Sequence, residues 1–151
     1  MSLNKDVVAG AYKMAQSRLS AGLIEQLMAA KLTEVPASYT QDVMKEYEKR
    51  RDILYEGLSK IPDVYLAKPE GAFYTMVSLP VEDAEKFCIF LLEEFRVNNE
   101  TVMLAPGAGF YQTENMGKNQ VRIAYVRNEQ ELKKSIEILK LGLEAYKKEK
   151  K

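Results

Sequence analysis

In the first third of the chain, apolar residues recur every three or four positions, a spacing that predicts amphipathic helices. One helix begins after Asn4, whose side chain can cap it, and runs to about Leu19. A second helix ends near Leu32 and is followed by a break over residues 33–37. We therefore expect two short helices to lead into the rest of the chain.

A third and longer helix follows the break. Ser38 and Gln41 have the spacing of a capping box, so we expect the helix to begin there. Its apolar stripe continues to Ile61, which is long enough for a helix that connects two domains. Charged residues fill positions 45–52, and we interpret most of them as a solvated face with pairs four residues apart.

Beyond this helix, the pattern changes to short alternating runs, which predict strands. The predicted strands are residues 64–66, 72–77, 101–105 and 121–126, and two more helices begin near Pro80 and after Asn128. The buried side of the first of these helices would carry Phe87, Cys88, Leu91, Leu92 and Phe95. The order β-β-α-β-β-α predicts an α+β fold with a small mixed or antiparallel sheet, covered by helices on one face and preceded by the long linker helix.

We divide the chain into three segments. Residues 1–3 would be an expression remnant, and residues 4–61 would be lead-in and spine helices that join a large domain outside this sequence. Residues 62–151 would form the small α/β domain. A chain of 151 residues with 46% hydrophobic content is long enough to bury a core.

Composition excludes several kinds of chemistry. The 22 basic residues balance the 22 acidic ones, which argues against a nucleic-acid partner. There is no histidine, so imidazole catalysis and histidine-ligated metal sites are excluded, and we predict no metal. Cys88 is the only cysteine and is expected to be a buried thiol, which favours a reducing, cytoplasmic compartment. No apolar run has membrane-spanning length, so we predict no membrane contact.

Arg122 is the candidate binding residue. It shares one face of the strand over residues 121–126 with Ala124 and Val126, which suits a partly buried surface, and a permanently charged group there needs an anion. A planar guanidinium pairs a carboxylate through two hydrogen bonds, so Arg122 could bind an amino acid or 2-oxo acid. The alternative is an ordinary solvated face over which Arg122 extends into water.

Two glycine-containing motifs also suggest sites. Gly107-x-Gly109 resembles a phosphate cradle, but no Lys-Ser/Thr follows, so a turn after a strand is favoured. In residues 69–74 (PEGAFY), Ala72 leaves space beside two aromatic residues, so the start of this strand could line a pocket. The alternative for this second motif is a well-packed hairpin.

Several motifs in order resemble the C-terminal part of class I and II aminotransferases, the fold-type I enzymes that use pyridoxal phosphate. They are Gln26 with Met28-Ala29-Ala30, residues 47–52 (YEKRRD), residues 69–74 (PEGAFY), residues 91–94 (LLEE), Pro106-Gly107 with Phe110, and residues 121–126 (VRIAYV). Together they span residues 4–146.

The resemblance implies a role for two residues. In the family, the arginine of this strand binds the α-carboxylate of the substrate, which would be the role of Arg122. The aromatic residue after Gly-Ala lies near the substrate in relatives, so Phe73 becomes a pocket candidate. The implied reaction moves an amino group between an amino acid and a 2-oxo acid, and a full-length parent would be a homodimer.

The lysine that forms the Schiff base and the residues that bind the cofactor lie upstream in the family. None of the lysines here is in the Ser-x-x-Lys type of motif. We therefore expect no catalytic residue, no cofactor-binding residue and no activity in this chain alone, although the parent would use pyridoxal 5'-phosphate. The competing hypothesis is a stand-alone, non-catalytic module that binds an amino acid or a protein partner.

Overall fold

The computed structural model describes residues 4–17 and 20–149, which fall into two compact units, Met1–Tyr39 and Thr40–Lys151. The first unit contains α1 (Lys5–Gln16), α2 (Leu23–Ala30) and a 3-10 turn (Lys31–Glu34). The predicted Asn4 cap is confirmed, because its side chain accepts hydrogen bonds from the N–H groups of Asp6 and Val7. The predicted end of α1 at Leu19 lies outside the described residues. No residue of α1, α2 or the turn is buried.

The long helix α3 (Ala37–Leu58) is present, but its predicted capping box is wrong. The helix begins one residue before Ser38, because Pro36 has the fixed φ that suits a helix start and its carbonyl accepts the N–H of Tyr39. The helix ends at Leu58, three residues before the predicted end, although Ile61 is still buried. Only the second half of the stripe is therefore both helical and fully buried.

The sheet has three strands, β1 (Tyr74–Ser78), β2 (Ala105–Pro106) and β3 (Gln120–Ala124), in the order β1-β3-β2. Both pairings are antiparallel, which confirms the predicted α+β class. Helices cover one face of the sheet. Because β3 is the central strand, its outward-facing side chains lie between those of its two neighbours.

Two of the predicted strands are much shorter than expected. Residues 64–66 form only one isolated β-bridge, between Tyr65 and Ser78. Asp63, just before this run, turns the chain with a φ of +60° and so interrupts the extended backbone. The run over residues 101–105 pairs only from Ala105. Its first residue is instead attached to a helix, since the Thr101 hydroxyl donates to the Leu91 carbonyl at 2.7 Å.

The core lies between the inner face of the sheet and the helices α4 (Ala84–Glu93) and α5 (Glu129–Glu149). Asp83 caps α4, and the predicted Asn128 cap of α5 is confirmed by a 2.9 Å bond from the N–H of Glu131. The core residues from α4, from β3 and from the position just after β3 include Phe87, Cys88, Phe90, Leu91, Val121, Ile123 and Tyr125. The prediction that Leu92 is buried is wrong, because the turn of α4 directs Phe90 to the core and leaves Leu92 43% exposed.

Adjacent leucines of α4 provide a test of this packing. Leu91 is fully buried and Leu92 is 43% exposed. We expect Leu91→Ala to lower the free energy of unfolding by about 2–5 kcal/mol, because it leaves a cavity in the core. Leu92→Ala is the matched control and should cost less than about 1 kcal/mol. Urea unfolding followed by circular dichroism measures both, and equal losses would contradict the assigned packing of α4.

Candidate carboxylate-binding site

Strand β3 separates its side chains between the core and an open face. Val121, Ile123 and the following Tyr125 are buried, whereas Arg122 and Ala124 are exposed. Arg122 lies opposite Met76 of β1 and opposite Ala105 of β2. The alternation predicted from the sequence is therefore observed, and it places Arg122 in the middle of the outer face of the sheet.

The surroundings of Arg122 differ from the sequence-based expectation. Arg122, Ala124 and Val126 are all exposed instead of partly buried, although Met76, Ser78 and Gln120 on the same face of the sheet are partly buried. Within residues 4–17 and 20–149, no Asp or Glu side chain forms an ion pair with the Arg122 guanidinium. Its carbon Cζ lies over two aromatic rings, 5.3 Å from the centroid of Tyr74 and 4.7 Å from that of Phe110. The cation is therefore held by rings and not neutralised by an acid.

Phe73 lies beside this site at the end of a strained turn. Ala72, just before it, has φ +61°, a left-handed conformation that a residue with a Cβ adopts at a cost. The Tyr125 hydroxyl donates to the carbonyls of Ala72 at 2.9 Å and Gly71 at 3.3 Å. Phe73 is 51% exposed and packs edge-on against Tyr74, with ring centroids 5.5 Å apart. The turn thus places Phe73 next to one of the rings that contact Arg122.

Burial determines the state of the hydroxyl that holds this turn. Tyr125 is only 1% exposed, and this burial raises the pKa of its hydroxyl, while the positive charge of Arg51 opposes the shift. The ordinary tyrosine pKa is already near 10, so the hydroxyl stays protonated at neutral pH. It is therefore available as a hydrogen-bond donor to the turn.

Helix α3 holds the turn and the end of β3 from a second side. Asp52 forms an ion pair with Lys68 at 3.0 Å, and hydrogen bonds from Arg51 and then Lys68 lower the pKa of the Asp52 carboxyl. Arg50 donates to the carbonyl of Val126 at 2.8 Å. The prediction that residues 45–52 form a solvated face is therefore only partly correct, because Arg50 and Asp52 bind other parts of the chain. The Glu46–Arg50 pair has the predicted four-residue spacing, but the Arg50 side chain is 19% exposed.

The Gly107 motif forms a turn. A Cβ at this position would lie 2.7 Å from the carbonyl oxygen of Gln120, so only glycine allows this close approach of the two chains. The N–H of Gly107 donates to that same oxygen at 2.7 Å. A 3-10 turn over Ala108–Phe110 follows and carries the Phe110 ring to Arg122. Gly107 thus supports the site through the backbone.

Other candidate chemistry is limited. Burial raises the pKa of the Cys88 thiol to about 11, so it is an inert core group at neutral pH. Over residues 4–17 and 20–149, no cluster of three or more histidine, cysteine or acidic side chains could hold a metal ion. In those same ranges, no helix combines the length and apolarity needed to cross a membrane.

A cavity of about 640 Å³ lies elsewhere in the second unit, between residues 100–104 and α5. Its lining includes Leu58, Val102, Leu104, Leu132 and Ile136, and neither Arg122 nor Phe73 contributes to it. Glu100 and Lys134, which also line it, form an ion pair with each other. The lining extends to Ala124 at the end of β3, but neither of the two candidate binding residues forms part of this cavity.

The outer sheet face does not itself fit pyridoxal phosphate. The cofactor needs an amine for a Schiff base and an acid for its pyridine nitrogen. The side chains that the sheet pairing places on this face are Tyr74, Met76, Ser78, Ala105, Gln120, Arg122 and Ala124. They include neither a lysine nor an acid. The face offers a cation for a carboxylate, and we derive no cofactor chemistry from it.

Comparison with known proteins gives a consistent result. The family model "Aminotransferase class I and II" matches residues 1–139. An aspartate aminotransferase from Pyrococcus horikoshii is 32% identical over 109 residues, which are 71% of this chain and 26% of that protein.

Solved structures of aminotransferases also resemble the chain. An alanine aminotransferase from Pyrococcus furiosus superposes with a TM-score of 0.72 at 24% identity, covering 88% of this chain and 33% of that one. A kynurenine aminotransferase from Pyrococcus horikoshii, solved in complex with PMP, gives 0.60 at 25% identity, covering 70% and 26%. This chain thus spans a quarter to a third of the length of these proteins. The match to the family model over most of the sequence shows that the chain belongs to the class I and II aminotransferases.

Proposed function

We propose that this chain is the C-terminal, substrate-binding portion of a pyridoxal-phosphate-dependent aminotransferase that moves an amino group between an amino acid and a 2-oxo acid. The observation that carries the proposal is the exposed guanidinium of Arg122, which has no acidic partner among the described residues. Its position on the central strand supports a fixed binding point. In this proposal Arg122 binds the substrate α-carboxylate.

The chemistry of the substrates fits one fixed cation. An amino acid and a 2-oxo acid both carry a carboxylate on the carbon that gains or loses the amino group. A guanidinium binds that carboxylate through two parallel N–H bonds, which sets both distance and orientation. Arg122 could therefore hold either substrate in the same place, as an exchange of amino groups between them requires.

The cofactor belongs to the proposal for the whole protein. When bound, pyridoxal phosphate supplies the carrier for the amino group. We propose that the lysine and the other cofactor-binding groups are in the remaining length of a homodimeric, cytoplasmic parent enzyme. Residues 4–61 would join that part to the small domain, residues 62–151, which presents Arg122. The kynurenine aminotransferase in complex with PMP supports the choice of cofactor.

Phe73 would form part of the substrate pocket. Its ring is half exposed and contacts Tyr74, which in turn lies against Arg122. A substrate whose carboxylate is bound to Arg122 could therefore place an apolar part against these rings. The exact position of Phe73 depends on the turn that Tyr125 anchors.

Binding by the 151-residue chain tests the role of Arg122. We expect pyruvate, at constant ionic strength, to shift the NMR signals of the Arg122 Nε–H group and of the β3 backbone amides, which can also be followed in variants that lack the guanidinium. Half-saturation should be on the order of 100 mM because an exposed ion pair is weak. Arg122→Gln should abolish this saturable binding. Arg127→Gln removes the same charge from another exposed arginine and should leave it intact.

Two results would change the interpretation. If pyruvate binds equally well to the wild type and Arg122→Gln, the carboxylate role is wrong. If an amino acid binds below about 1 mM without cofactor, and Arg122→Gln removes that binding, the non-catalytic binding module becomes the better description.

Activity provides a separate test. We expect the purified chain, given pyridoxal phosphate, an amino acid and pyruvate, to form no product above the background of free cofactor, because its outer sheet face offers no amine for a Schiff base. Product formation followed by chromatography measures this. Turnover that exceeds the background and scales with protein concentration would contradict the prediction.

The anchor of the Phe73 turn is tested by Tyr125→Phe. The change removes the hydroxyl that donates to Ala72 and Gly71, so we expect a loss of about 0.5–1.5 kcal/mol in the free energy of unfolding and shifted amide signals over residues 71–74. Tyr65→Phe is the control, because Tyr65 is exposed and its hydroxyl has no bond to this turn. Unchanged amide signals in Tyr125→Phe would show that the hydroxyl does not hold the turn.

A further inference from the structure

We propose that Tyr74 and Phe110 are positioning residues for Arg122, and we call this pair of rings the aromatic clamp. The clamp holds the guanidinium over the sheet with its N–H groups free to receive a carboxylate. The proposal rests on the carboxylate role of Arg122 given above. It adds two residues that affect the affinity of Arg122 for a carboxylate without contacting that carboxylate themselves.

The two rings approach Arg122 from opposite neighbours of β3. Tyr74 belongs to β1 and lies two residues along that strand from Met76, which is directly opposite Arg122. Phe110 belongs to the turn that follows β2, whose Ala105 is also opposite Arg122. Both centroids are within the range, about 6 Å, over which a ring attracts a cation. The clamp is therefore built across the whole width of the sheet.

Each ring is itself fixed by the fold. Tyr74 lies in regular strand pairing and contacts Phe73 edge-on. The Phe110 N–H donates to the Gly107 carbonyl at 3.0 Å, and Gly107 is in turn bonded to Gln120, the first residue of β3. The clamp is thus in place before any ligand arrives.

The electrostatics favour rings over acids at this position. An aromatic ring attracts a cation through its quadrupole and leaves the cation's charge in place. A neighbouring carboxylate would also orient the guanidinium, but it would occupy the N–H groups that a substrate needs. Arginine has a flexible stem with considerable rotamer entropy, so restraining it in advance lowers the cost of binding. The clamp therefore raises carboxylate affinity by preorganisation.

Leucine variants of the clamp test this in the 151-residue chain, with pyruvate as the probe. We expect Phe110→Leu and Tyr74→Leu each to weaken pyruvate binding about threefold, and the double variant about tenfold, in line with the strength of an exposed cation–π contact. Phe110→Tyr keeps a ring and should restore affinity. Tyr65→Leu changes an exposed tyrosine whose ring is not one of the two that lie over Arg122, so it is the matched control and should bind as the wild type does.

A second readout does not depend on ligand binding. In the free chain, the side-chain protons of Arg122 should be shifted by the two ring currents, and each leucine variant should move these signals towards their random-coil values. Tyr65→Leu should leave them in place, and a well-dispersed spectrum shows that each variant is folded.

The two readouts separate the possible failures. If the leucine variants remove the ring-current shifts and pyruvate binds neither the wild type nor the variants, the rings do hold Arg122, but the proposed carboxylate role is wrong and the positioning claim fails with it. If pyruvate binding depends on Arg122 and is unchanged in the double variant, the clamp is overturned while the proposed function stands. Loss of both the shifts and the affinity, restored by Phe110→Tyr, supports the clamp.

Discussion

The alternation of side chains along β3 is the constraint on which the rest of the site depends. Val121, Ile123 and Tyr125 are buried against the helices, and Arg122 is directed outward. A shift of one residue in register would expose three core side chains and bury a charge that cannot be neutralised by losing a proton. Burying an unpaired charge costs several kcal/mol, so the hydrophobic core itself fixes the direction of the guanidinium.

The strained turn before β1 is stabilised by a side chain of the core. The left-handed conformation of Ala72 lowers the stability of the fold by roughly 1–2 kcal/mol. One hydrogen bond typically contributes about 0.5–1.5 kcal/mol to stability and can offset much of this cost. The bonds from the Tyr125 hydroxyl are of the size needed to hold the turn, whereas the exposed pair between Asp52 and Lys68 contributes little. The buried ring of Tyr125 thus connects the core to Phe73, and the two candidate residues Arg122 and Phe73 depend on the same strand.

The sequence predicted what is local and missed what is distant. The cap residues Asn4 and Asn128 and the outward direction of Arg122 follow from patterns within a few residues. The contact of Phe110 with Arg122 depends on a turn that lies outside β3, earlier in the chain, and on the pairing of β2 with β3. No local sequence pattern specifies either of these. The hydrogen bond from Arg50 to the Val126 carbonyl, just after β3, was also not predictable from the sequence, because a charged run on a helix is usually solvated.

The surroundings of Arg122 also explain why an arginine can remain unpaired here. The Arg122 side chain is exposed, so water solvates the guanidinium and little desolvation cost arises, while the rings restrict its movement. In an exposed position the attraction for one carboxylate is small. Exclusion of water from this face would strengthen the same ion pair, since the effective dielectric constant falls. Tight binding of a substrate by Arg122 therefore requires something to cover the face, and in the proposed parent enzyme the part of the protein that holds the cofactor would do so.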